Sequence, residues 1–200
     1  MKKNFLFIFF IIFSLLLLNV KSIANTSDPK QFISEVVLEA KKVLVETNTA
    51  EFKTRKLSEL ALKTVDIDGI GFYTLGKYRK GLTEDQLKEY SILFEKYFLK
   101  SFTSRLTDYS NPKIEVISAD VLNPKYTIVK SVLLATDKKP EVKIEWRVYT
   151  KNPNKPLIRD LIIEGLSLAR TQKEEFSSVI ESNNGDISKL FSSLKDFVSK

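Results

Sequence analysis

The side chains of this 200-residue chain that could take part in acid–base catalysis are mainly carboxylates, because the sequence contains no His and no Cys. That composition removes imidazole bases, thiol nucleophiles and nearly all zinc sites. The best-spaced pair is Asp160 and Glu164, four residues apart in a predicted strand. Such a pair can act as general acid and base. No nucleophile or metal ligand accompanies it, so pairing with Lys, Arg or a backbone donor is favoured. We therefore expect no catalytic residue, no metal site and no enzyme.

Cationic side chains surround an aromatic ring where a predicted helix ends. Lys77, Arg79 and Lys80 flank Tyr78. Ammonium and guanidinium groups donate hydrogen bonds to phosphate oxygens, and a tyrosine ring has one apolar face and one polar tip. These three cations are therefore candidates for contact with a phosphate group. A solvated surface joint whose charges keep the chain soluble is an equal alternative.

The first 24 residues have the three-part layout of a secretory signal peptide. Lys2 and Lys3 precede an apolar run over 5–20, and small residues lead to a predicted cleavage after Ala24. An uncleaved membrane anchor is the alternative, but the run is short for a span of about 20 apolar residues. We expect export from the cytoplasm and one domain over 25–200.

The charge pattern indicates which classes of binding partner to expect. The formal net charge is +7, yet no basic block reaches five residues. Nucleic-acid binding is therefore not predicted. A mild positive charge suits transient contact with an anionic membrane surface.

The elements that must position these residues follow from periodicity. Helical spacing over 28–110 predicts helices that begin at Asp28, Thr49, Asp66 and a Thr83–Gln86 capping box, the last reaching about Asp108. A period near two then predicts four strands within 113–168, at 114–122, 126–136, 142–149 and 157–167. Closing helices are predicted within 171–198, over 171–181 and 186–198. The order predicts an α+β fold in which N-terminal helices pack on a four-stranded antiparallel meander.

Two motifs in this order of elements resemble those of a known family. The first is Leu75-Gly76-Lys77-Tyr78, followed by Thr83-Glu84-Asp85-Gln86 and aromatic residues at helical spacing. The second is Asp160-Leu161-Ile162-Ile163-Glu164-Gly165-Leu166-Ser167. Together they resemble the MlaC family of periplasmic phospholipid-binding proteins, which are auxiliary components of an ABC transport system. The chain departs from the family pattern at Arg79, at Pro156-Leu157 and at Gln172-Lys173.

The resemblance implies a phospholipid carrier that is exported to the periplasm. Such proteins shuttle glycerophospholipid between an outer-membrane lipoprotein complex and an inner-membrane ABC transporter, which maintains outer-membrane lipid asymmetry. The lipid is cargo, with Lys77, Arg79 and Lys80 as candidates for contact with its head group, and no cofactor or catalytic residue is implied.

An apolar lipid cavity is expected between the sheet and the helices, because acyl chains must be shielded from water. The predicted lipid-binding residues are apolar or aromatic and lie on the helical stripe or on the sheet: Phe72, Tyr73, Leu75, Tyr78, Phe94, Tyr97, Phe98, Val142, Ile144, Trp146, Val148, Ile162 and Leu166. For each of them, core packing is the main alternative. For the protein, the alternatives are an exported protein-binding adaptor with a solid core and an exported hydrolase.

Overall fold

The computed structural model describes residues 28–107, 109, 111–137 and 139–200, and the predicted signal peptide lies outside them. The helices are α1 (Pro29–Val45), α2 (Ala50–Thr64), α3 (Ile67–Leu75), a 3₁₀ helix (Gly76–Gly81), α4 (Glu84–Thr107), α5 (Leu168–Glu181) and α6 (Ser188–Ser199). The strands are β1 (Ile114–Asn123), β2 (Tyr126–Leu133), β3 (Val142–Tyr149), β4 (Leu157–Ile163) and β5 (Leu166–Ser167). Within this described part of the chain, no helix combines the length and hydropathy needed to cross a membrane.

The predicted helix starts are present as side-chain caps. Asp28 accepts a hydrogen bond from the backbone N–H of Lys30, and Thr49 accepts one from Phe52. At α4 the capping box is reciprocal: Thr83 N–H donates to Gln86 Oε1 at 2.9 Å, and Gln86 N–H donates to Thr83 Oγ1 at 3.2 Å. The predicted end of this helix, Asp108, lies outside the described residues.

The sheet is an antiparallel meander with strand order β1-β2-β3-β4-β5, which confirms the predicted α+β fold. The prediction of four strands is wrong, because the segment 157–167 is two strands. Glu164 and Gly165 have positive φ angles of 48° and 82°, as in the tight turns that join hairpin strands. The chain reverses there, and Ser167 pairs with Ile162.

Apolar side chains form two cores. The helical core joins α3, α4, α5 and α6, and its buried members include Leu75, Phe94 and Phe176. The sheet core joins α1 to the sheet through Ile33, Val36, Val129, Val148 and Ile158. Val65, directly after α2, packs against both cores.

The helices and the sheet are also joined by polar contacts. Asp66, the N-cap of α3, accepts a hydrogen bond from Arg159 Nε at 2.6 Å, and the Asp66 N–H donates to the carbonyl of Ile158. Arg159 Nη1 also donates to the hydroxyl of Tyr126 at 2.9 Å. These bonds fix the start of α3 against β4.

Candidate functional site

The face of the sheet that α1 covers carries the apolar residues of β3. Residues directly opposite each other in antiparallel strands point to the same side, and Val148 pairs with Thr127 and Ile158. Toward the end of the face where β3 connects to β4, the apolar side chains are fully covered. Val129 and Val148 are 0% exposed and Ile158 is 4% exposed. They pack with Ile33 of α1.

Coverage is only partial toward the end of the face where β2 connects to β3. The residues there are all apolar and all half-buried, and strand pairing places them on one side: Leu133, Val142, Ile144, Trp146, Leu161 and Ile163. We call this set the open half of the sheet face. Its apolar surface remains in contact with water, although it continues directly from the buried sheet core.

The polar groups within the open half already have partners. Trp146 Nε1–H donates to Ser131 Oγ at 2.8 Å, and Ser131 is only 3% exposed. The Ser131 hydroxyl donates in turn to the carbonyl of Ile144 at 3.4 Å. An apolar ligand that covered Trp146 would therefore leave these polar groups hydrogen-bonded.

The aromatic stripe of α4 packs with the C-terminal helices. Phe94 is 2% exposed and meets Phe176 edge-on at a ring-centroid distance of 6.3 Å. Tyr97 contacts Phe197 at 5.0 Å and donates a hydrogen bond from its hydroxyl to Gln172 at 2.7 Å. The predicted residues that belong to the helical core or pack against it are Phe72, Leu75, Tyr78, Phe94, Tyr97 and Phe98.

Besides the buried Val148, two of the predicted lipid-binding residues on the sheet lie outside the open half. Ile162 pairs with Glu145 and therefore points to the side opposite Ile144 and Trp146. Leu166 in β5 pairs with Ile163 at the rim of the open half and is 52% exposed. Sequence reasoning omitted Leu133, Leu161 and Ile163, although the two β4 residues follow the period of two.

The cationic residues of the 3₁₀ helix contact α5 and α3. Lys77 Nζ lies 3.0 Å from Glu181 Oε1, and the Tyr78 hydroxyl donates to the same oxygen at 3.2 Å. These hydrogen bonds, first that of Lys77 and then that of Tyr78, lower the pKa of the exposed Glu181 carboxyl. The Arg79 guanidinium lies 4.4 Å from the ring centroid of Phe72. Lys77 and Arg79 thus already have protein partners, and Lys80 is exposed.

A groove of about 510 Å³ lies beside this helix. Its lining is charged or hydroxylic apart from one aromatic ring: Tyr73, Arg170, Lys173, Glu174, Ser177, Ser178, Glu181 and Ser182. The ring belongs to Tyr73, which is 46% exposed and has Lys173 Nζ at 5.2 Å from its centroid. Such a lining does not suit acyl chains, so the open half is the better candidate for an apolar ligand.

The carboxylate pair has structural partners, as the sequence favoured. Asp160 is 3% exposed and accepts hydrogen bonds from Ser167 Oγ at 2.6 Å and from the Ala169 N–H at 3.0 Å. Glu164 accepts a hydrogen bond from the backbone N–H of Lys143. Across the described ranges, no group of three or more acidic residues is arranged to hold a metal ion.

Comparisons with known proteins address the fold and the family. The family model described as MlaC protein matches residues 32–196. Among solved structures, a phospholipid-binding protein from Ralstonia solanacearum, in complex with a phospholipid, is similar with a TM-score of 0.72. The two sequences are 18% identical, and the match covers 86% of this chain and 97% of that chain. A comparison with curated proteins finds no match. Because the family model spans most of the sequence, the chain belongs to the MlaC family.

Proposed function

We propose that this protein binds a glycerophospholipid, with the acyl chains against the open half of the sheet face. We further propose that it carries this lipid through the periplasm between the outer membrane and an inner-membrane ABC transporter complex. Membership of the MlaC family supports this role, and so does the likeness to a protein that was solved with a phospholipid. The predicted signal peptide, which would place the protein in the periplasm, is consistent with it.

The open half is the observation that carries the proposal. A diacyl lipid exposes roughly thirty methylenes, and leaving them in water costs on the order of 20 kcal/mol. A carrier must therefore have apolar surface that is not already buried in its own core. Ile144, Trp146 and Leu161 offer such surface, because they lie on the core side of the sheet but are only partly buried.

The proposed head-group contacts are the three cations of the 3₁₀ helix. Lys77, Arg79 and Lys80 stay predicted head-group contacts, and an incoming phosphate would compete with Glu181 for Lys77. The cargo is a lipid and the proposal includes no cofactor. The proposed protein partners are the outer-membrane lipoprotein complex and the inner-membrane transporter.

Cargo content tests the proposal directly. We expect the exported protein, purified without detergent, to release phospholipid on organic extraction and to show a lipid-bound mass in native mass spectrometry. Ile144→Glu and Trp146→Glu place a charge against the acyl chains, which we expect to lower lipid per protein by at least tenfold. Ile92→Glu is the matched control, because Ile92 lies on α4 and is already 51% exposed.

Trp146→Phe keeps an apolar ring at the same position and separates cargo loss from misfolding. We expect this variant to fold and to retain most of its lipid. A lipid-free wild-type protein would contradict the proposal and favour an exported adaptor. Folded Glu variants with full cargo would show that acyl chains bind elsewhere. Ester hydrolysis that is lost on changing one Ser or Asp would instead indicate an enzyme.

A further inference from the structure

We propose that one end of the sheet docks the protein onto an anionic phospholipid bilayer. This end consists of residues 121–125, which are the last residues of β1 and its turn to β2, and residues 151–155, in the β3–β4 connection. We call it the tip. The proposal goes beyond cargo binding, since it concerns a surface at the opposite end of the strands from the open half.

The meander topology brings the two connections together. In an antiparallel sheet, every second turn lies at the same end, so the β1–β2 and β3–β4 connections are neighbours. The backbone confirms this, since the Thr150 N–H donates to the carbonyl of Lys125 at 2.8 Å. Residues distant in sequence therefore form one continuous surface.

The tip presents apolar side chains to water. Val121 is 80% exposed, more than any other large apolar residue in the described ranges, and Leu122 is 55% exposed. The strand pairing is irregular between Val121 and Asn123, and at such a bulge an extra residue breaks the inward–outward alternation. Exposed apolar side chains grouped in this way indicate an interaction surface.

The charge around these side chains is positive and uncompensated. Lys125, Lys151 and Lys155 are exposed, and neither 121–126 nor 149–158 contains an acidic residue. The nearest carboxylates in sequence are already paired, Asp120 with Lys130 at 2.9 Å and Asp160 with Arg147 at 3.5 Å. Lysines beside exposed apolar side chains complement anionic head groups above an acyl layer.

The shape of the tip favours a bilayer over an acidic protein segment. Residues 119–125 are all exposed, so the hairpin end projects instead of forming a groove. A projecting end with two apolar side chains can enter a soft lipid surface. Val121 also pairs with Thr127 and so points to the same side of the sheet as Val148 and Trp146. Docking would therefore bring one corner of the ligand-binding side to the membrane.

Vesicle binding by the intact protein tests the tip. The vesicles contain phosphatidylglycerol and phosphatidylethanolamine at low salt, and phosphatidylcholine vesicles are the neutral control. Each lysine should contribute about fivefold to binding. We therefore expect K125Q/K151Q/K155Q to bind about a hundredfold more weakly than wild type. K63Q/K88Q/K96Q removes the same net charge from exposed positions outside the tip, and we expect it to lose only a few-fold.

Insertion of the apolar side chains has its own readout. Because the chain contains no Cys, Leu122→Cys accepts a single environment-sensitive fluorophore, and Ile92→Cys provides a labelled control of similar exposure. We expect a blue shift with anionic vesicles for the label on Leu122→Cys alone. Absence of binding to these vesicles, equal binding to neutral vesicles, equal losses in the two lysine triples, or no shift would each overturn the proposal.

Cargo extraction from the tip triple distinguishes this inference from the proposed function. We expect K125Q/K151Q/K155Q to carry as much phospholipid as wild type, because the tip lies away from the open half. A wild-type protein that binds anionic vesicles through the tip but carries no lipid would refute the carrier function and leave membrane docking supported. A cargo-loaded protein that does not bind vesicles would refute membrane docking and leave the carrier function supported.

Discussion

Gly76 shows how one residue determines the junction between α3 and the 3₁₀ helix. Its φ is +53°, a region that favours glycine. A Cβ at this position would lie 2.8 Å from Cε of Lys173, the side chain that also lies over Tyr73. Glycine therefore permits both the change of helix direction and the close approach of α5.

We expect Gly76→Ala to lower the free energy of unfolding by about 1–2 kcal/mol, chiefly through the strained φ. The Lys173 side chain can move aside, so the contact itself adds little. Gly81→Ala is the control, because Gly81 lacks a positive φ and no atom lies within 4 Å of its added Cβ. Urea denaturation measures both variants. Equal effects of the two substitutions would contradict this account of Gly76.

Local chemistry at single residues was more predictable than long-range contact. The Thr83–Gln86 capping box and the structural pairing of Asp160 follow from short spacing and from the missing nucleophile. The partners of Phe94 did not follow. Phe176 contacts its ring from a helix about 80 residues later in the chain, and periodicity identifies a buried face without naming what covers it.

Asp160 joins its own strand, β4, to three other elements. It is placed by β4, accepts the hydroxyl of Ser167 in β5, and accepts the backbone N–H of Ala169 in the first turn of α5. Arg147 of β3 lies 3.5 Å away. A carboxylate at a helix N-terminus also complements the helix dipole. This single buried side chain therefore fixes the sheet to the helical core.

We expect Asp160→Asn to lower the free energy of unfolding by about 2–3 kcal/mol, since the amide retains the shape but loses the charge that faces Arg147 and the two donors. Glu164→Gln is the control, because Glu164 is exposed and accepts one backbone hydrogen bond. Denaturation monitored by circular dichroism gives both values. A cost below about 0.5 kcal/mol for Asp160→Asn would show that the junction depends on packing instead.

Element boundaries followed from the sequence where local signals were strong. The alternation over 142–149 predicted β3 to the residue. The hairpin of β4 and β5 was missed, because the turn holds only Glu164 and Gly165 and apolar residues resume directly at Leu166. The positive φ angles of these two residues and the pairing of Ser167 with Ile162 show the reversal, and a Glu with positive φ is uncommon.

The two apolar cores explain how a chain without disulfides holds its fold and still offers apolar surface. The aromatic stripe of α4 is buried in the helical core, and α1 covers only part of the sheet. The remaining surface is the open half. The sequence predicted the apolar side of β3 but not its uneven coverage, since coverage depends on where α1 lies across the strands.

Trp146 allows this assignment to be tested by fluorescence, because it is the only tryptophan in the sequence. The protein is loaded with phospholipid whose acyl chains carry bromine, a contact quencher of indole emission, and bound lipid is counted by extraction. We predict strong quenching of Trp146 at one lipid per protein and little quenching with unbrominated lipid. Full lipid loading with unchanged Trp146 emission would contradict the placement of acyl chains on the open half of the sheet face.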